Sequence, residues 1–232
     1  MQAFVFLIMK EVREMFTFTH RRFLTTLFTF LMLVGAAGAA EAGPPLICHP
    51  FDAGKAPLLP WAGGQGWNNP DRSYDVQRLT ADTIRLLSPE VPVLARMENL
   101  RRATIYAAQD RRVAAELLTA VLGNALTAAA KEPANALAWF DAGYLIESYR
   151  QASHVFKWDM LAGAERAAWN FRSEPGLDGY SFIRKALQLA GAHPEMEFAA
   201  SLMKEGAVSA EHRRRALTGA PTGSLLAKNM AQ

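Results

Sequence analysis

From Asp71 to about residue 218, apolar side chains recur at every third or fourth position, and no run of alternating β-branched residues competes with them. That period lays one apolar stripe along a helix, and such a stripe has to be buried against another helix. Val76, Leu79, Thr83 and Leu87 form the first stripe, and Leu94, Met97, Leu100 and Thr104 a second. Val113, Leu117, Val121 and Leu122 form a third, opened by Asp110. Ser88-Pro89-Glu90 reads as a helix start, with serine as cap and proline at the first helical position. Leu117 to Ala130 carries no charge, which predicts a buried helix too short to span a membrane. Further helices are expected near 154–170, near 178–189 and from His193 to about Lys204, with Ser209 capping a last one. The fold class is therefore all-α, in a helical domain over 71–218 that leaves 219–232 as a flexible tail.

The other end of the chain has a different pattern. Phe23 to Ala40 is uncharged, follows Arg21-Arg22 and closes in small residues, the layout of a secretory signal. Cleavage is expected after Ala42, with Ala39 as the alternative, or the segment stays as an anchor. The charged stretch before Arg21 fits no signal, and a start at Met15 would give an ordinary basic region. Arg21 and Arg22 hold the N-terminal side in the cytoplasm, so the remainder is expected in the periplasm or outside the cell. Removing residues 1–42 takes away four basic and three acidic residues and leaves 21 Lys and Arg against 19 Asp and Glu. Such near balance gives no reason to expect nucleic acid as a partner, and after signal removal no membrane span is expected.

Residues 43–70 contain six of the chain's 12 prolines, a Gly-Gly-Gln-Gly run, Trp61 and Trp67, and are expected to form an irregular arm lying across a hydrophobic surface. The arm holds the chain's single cysteine, Cys48, next to His49. Ile47 and the preceding prolines do not suit a lipid anchor, and there is no second cysteine for an internal disulfide. Cys48 either packs under the arm or pairs with a cysteine of another chain. His154, His193 and His212 show no metal-ligand spacing, so no metal or other cofactor is expected.

Glu132 to Ala152 is the most informative stretch, with Trp139, Ala142, Gly143 and Ile146 on one face and Leu137, Phe140 and Tyr144 on another. A helix apolar on two faces is held between neighbours. Pro133, Trp139 and Gly143 make residues 132–152 resemble the first helix of a tetratricopeptide repeat, in which Ala142 stands for the usual leucine and Ile146 for the usual tyrosine. The partner helix's small and aromatic positions would fall on Val155 and Asp159, and one period back Gly143 would land on Gln109, so no clean second copy is visible. The resemblance implies stacked antiparallel helix pairs in a repeat-like array, with a concave groove that binds peptides. Phe140, Tyr144 and Glu147 would face that groove, or Phe140 and Tyr144 would pack on the next helix.

Ser201-Leu202-Met203-Lys204 matches the S-x-x-K of penicillin-binding enzymes, but their other motifs are absent. Arg101-Arg102 and Arg111-Arg112 read as solvated helix faces, offset by Glu98 and Asp110, and Arg213-Arg214-Arg215 as cations near a helix end that offset its macrodipole. The expectation is an exported, non-enzymatic helical protein that binds a protein or peptide partner through a helix-lined surface. The alternative is an enzyme or small-molecule binder with a site between the arm and the helices, using Cys48 or His49.

Overall fold

Several helix starts in this chain are set by side chains that accept the first free backbone N–H groups. The computed structural model describes residues 45–64, 66–131, 135–162 and 177–231, all within one compact unit, Gly43–Gln232. Residues 1–42, with both expected cleavage sites, and Pro133 lie outside the described residues. Among the described residues the chain is helical and has no strand. A single turn, α1 (Pro45–Cys48), sits within the arm, and a 3-10 turn (Val76–Arg78) leads into α2 (Leu79–Arg85). There follow α3 (Val93–Ala107), α4 (Arg111–Ala129), α5 (Ala136–Phe156), α6 (Gly179–Ala190), α7 (Pro194–Ser201), α8 (Gly206–Gly219) and α9 (Leu225–Met230). Asp110 caps α4, Asn135 caps α5 and Asp178 caps α6, each accepting from an N–H of the first turn.

Two expected starts are displaced. Ser88 to Val91 closes a turn, and α3 begins only at Val93, after Pro92. The residue before a proline is pushed out of helical geometry, so Val91 cannot belong to the helix. Ser209 lies inside α8, which starts at Gly206, and its hydroxyl donates to the Ser201 carbonyl at 2.7 Å. The helix expected near 154–170 is not continuous, because α5 ends at Phe156 with Lys157 left-handed and residues 163–176 lie outside the described set. The segment 219–232, expected as a flexible tail, carries α9, whose Leu226, Asn229 and Met230 are buried. Asn229 exchanges hydrogen bonds with the Asp52 backbone at 2.7 and 2.9 Å, tying this end to the arm.

Neighbouring helices pack as antiparallel pairs. Trp139 meets Phe182, a Cβ on Gly179 would touch Glu147, and Arg150 donates to the Leu177 carbonyl, so α5 and α6 run in opposite directions. In α4 and α5, Ala114 pairs with Tyr149, while Val121 and Ala128 lie across from Ala138 and Asp141. In α7 and α8, Ser201 meets Ser209 and Glu197 meets His212. α5 is the central helix, touching α3, α4 and α6. Gly143 makes the α5–α6 crossing possible, since a Cβ there would stand 2.6 Å from the Gly179 carbonyl oxygen.

Candidate functional site

The polar residues of α3 do not form a solvated face. Glu98, Asn99 and Arg101 are buried, and they take up the backbone groups of the irregular arm. Phe51 N–H donates to Glu98 at 3.0 Å, and Leu59 N–H donates to Asn99 at 2.8 Å while Asn99 donates to the Pro57 carbonyl. Arg101 grips both Glu98 oxygens at 2.8 and 2.9 Å and donates to the Ile47 and Trp67 carbonyls. Arg102 donates to Glu98 and to the Leu59 carbonyl, and Tyr106 donates to Pro60. Both guanidinium groups also lie over the Trp61 ring. An arm without regular structure has to find partners for its backbone elsewhere, and α3 supplies them.

Arg96, one turn earlier, has another task. It is 1% exposed and donates from Nη1 to Asp141 Oδ2 of α5 at 2.5 Å. Its other nitrogens hold the carbonyls of Val91, Leu87 and Ser88, closing the turn before α3. Asp141 is 6% exposed, and its second oxygen, Oδ1, has no hydrogen-bond partner. Burial pushes the Asp141 carboxyl up to about 7, with the Arg96 guanidinium pulling the other way. Both residues line a cleft of about 220 Å³ between the second half of α4, the start of α5 and the turn at Leu87 and Pro89. Val121, Leu137 and Ala138 give it apolar wall, and Asn124, Lys131 and Asn135 give it polar rim.

The residues expected to face a peptide groove lie elsewhere. Phe140 and Tyr144 have no exposed surface and stack on each other at 5.7 Å in the core, so they pack on neighbouring helices and present nothing to a partner. Glu147 is buried between α5 and α6, pushed up by that burial and paired with Arg150. Val155 falls in the last turn of α5 and Asp159 beyond the helix end, so neither begins a partner helix. The helix that closes on Gly143 is α6.

Cys48 is a half-buried free thiol, pushed up by burial against the opposing charge of Arg101, which keeps it from being a ready nucleophile. His49 is exposed and lies on a second cavity of about 180 Å³ between the arm, α7, α8 and α9. Two of the polar side chains there are engaged: Arg213 donates to the Met230 carbonyl, and Asn229 holds Asp52. The Ser201 hydroxyl donates to the Phe198 carbonyl of its own helix, and the Lys204 ammonium sits 4.6 Å from the Tyr180 ring centre, so they do not act as a pair. His212 is buried between Glu197 and the Tyr180 hydroxyl, a chain that fastens α6, α7 and α8. Burial pushes that phenol up, so it stays neutral beside the imidazole. Among the described residues no three His, Cys, Asp or Glu side chains converge as metal ligands would.

The sequence carried one sign of the Asp141 site, a lone charge in the otherwise uncharged run Ala136 to Ile146. No family model, curated protein or solved structure matches the chain.

Proposed function

We propose that the chain is an exported, non-enzymatic helical protein that binds a protein or peptide partner, and that the partner inserts one side chain into the α4–α5 cleft. The observation that carries this reading is the open cleft itself, with apolar wall from Val121, Leu137 and Ala138 and polar rim from Asn124, Lys131 and Asn135. A cleft of about 220 Å³ falls below the range of pockets that enclose whole small molecules, about 300 Å³ and above, and suits a single side chain. Export rests on the uncharged run after Arg21-Arg22 and its small-residue end. The enzyme reading has less support, because the groups near Cys48 and His49 are committed to holding the arm and α9.

Affinity capture from the host's extracytoplasmic extract tests the proposal, comparing the unchanged protein with Ala138→Trp, which fills the cleft and leaves Asp141 in place. A partner retained by the first and lost by a folded Ala138→Trp protein is the expected result. The same partners retained equally by both would refute the assignment of the cleft.

A further inference from the structure

We infer that the cavity between the arm, α7, α8 and α9 binds a small free carboxylic acid, with an apolar body about one ring in size and its carboxylate on Arg213. This site is separate from the α4–α5 cleft, and nothing in it depends on what enters that cleft. Its walls come from distant parts of the sequence. Phe51 of the arm meets Phe198 of α7 edge to face, with ring centres 6.1 Å apart. Pro45 and Pro50 add to the arm side, Leu202 stands at the end of α7, and Met230 lines the cavity from α9. Asn229 fixes α9 against the arm through the Asp52 backbone, so the bonds that hold the fold also hold the cavity open.

The unspent hydrogen-bonding capacity on this lining is cationic. Asn229 has none left, since its oxygen accepts from the Asp52 N–H and its nitrogen donates to the Asp52 and Leu225 carbonyls. Arg213 is exposed and gives one N–H to the Met230 carbonyl, while a guanidinium carries several more. Among the described residues it has no carboxylate partner, and His49, exposed on the same rim, has no hydrogen bond. No Asp or Glu lies on the lining. A guanidinium without a carboxylate beside apolar wall is complementary to an anion that carries an apolar body. The volume is about 180 Å³, and a cavity of about 150 Å³ with aliphatic and aromatic walls already holds benzene. A cation of the same shape would meet Arg213 with no acid to offset it. A neutral ring would use the walls and leave the guanidinium unpaired. An inorganic anion or acetate would pair with Arg213 and gain nothing from Phe51, Phe198 and Met230.

Chemical-shift titration of the isotope-labelled protein at about pH 7, where benzoate is ionised, separates these cases. The probes are benzoate, its neutral and cationic isosteres benzamide and benzamidinium, acetate, and N-acetylphenylalanine as the end of a peptide chain. Saturable shifts at Phe51, Leu202 and Met230 are expected with benzoate. Benzamide and acetate should bind at least about tenfold more weakly, since each lacks either the charge-assisted bond or the apolar body. Equal binding of benzamide, tighter binding of benzamidinium, or no saturable shift with benzoate would overturn the inference. Tighter binding of N-acetylphenylalanine than of benzoate would assign the cavity to the terminus of a partner chain and overturn the free acid. Arg213→Lys keeps a charge and should keep part of the preference for benzoate over benzamide, whereas Arg213→Met should abolish it. An unchanged preference in a folded Arg213→Met protein would contradict the role of the guanidinium. Leu202→Trp, which fills the cavity and leaves Arg213 in place, should abolish the benzoate shifts, and their persistence would place the acid elsewhere. The isosteres compared on the unchanged protein decide the matter if a variant does not fold.

Discussion

The Tyr144 hydroxyl is fully buried and has no hydrogen-bond partner, and burial raises its phenol well above the ordinary range. An unmet hydroxyl in a packed core is a cost, so Tyr144→Phe should raise the free energy of unfolding by about 1 kcal/mol. Urea denaturation checks it, and a clear loss of stability would mean that the hydroxyl has a partner after all. The same reasoning about burial gives Asp141 a pH signature. Its folded carboxyl is held at about 7, above the unfolded value, so the folded state binds the proton more tightly. The stabilising contribution is complete below the ordinary carboxylate range and is lost as pH rises through about 7. Relative to Asp141→Asn, the unchanged protein should therefore lose stability between about pH 4 and about pH 7. Parallel pH profiles of the two proteins would contradict this.

Where helices meet, one backbone position dominates the α5–α6 pair. A methyl group at Gly143 would overlap the Gly179 carbonyl, the Phe182 Cβ and the Ile183 nitrogen, at 2.6, 2.8 and 2.9 Å, and two of these three are backbone atoms that cannot swing aside. Gly143→Ala should cost about 1–3 kcal/mol, measured by denaturation, and an unchanged midpoint would show that the helices can separate freely. At the arm, Asn99→Ala should speed hydrogen exchange at the Leu59 amide by tenfold or more, and leave α4 amides unchanged, since Asn99 accepts from that N–H at 2.8 Å. Unaltered exchange at Leu59 would contradict the clamp. The helices were legible because their apolar period and caps, such as Asp110, are local properties of the sequence. The role of α3 was not, since Glu98 and Arg101 read as surface charges until the arm is folded over them. Phe140 and Tyr144 were legible as residues of a sandwiched helix but not as wholly buried ones, because which side of a two-faced helix stays open depends on distant neighbours. α9 escaped notice because six residues give too few turns for a periodic signal.

Taken together, the helices place α5 at the centre, with α6 closing one side through the two glycines and α4 leaving a cleft on another. The arm and α9 are locked to the helices by polar bonds made by Glu98 and Asn229. In this account Arg96 fixes the turn before α3 and also orients the carboxylate, which couples the shape of the cleft to the fold. Hydrogen–deuterium exchange of the protein alone and with a captured partner tests the cleft most directly. Protection gained on binding is expected to concentrate in the second half of α4 and the first turns of α5, around Val121, Ala138 and Asp141. Protection confined to the arm, α8 and α9, with those turns unchanged, would contradict it.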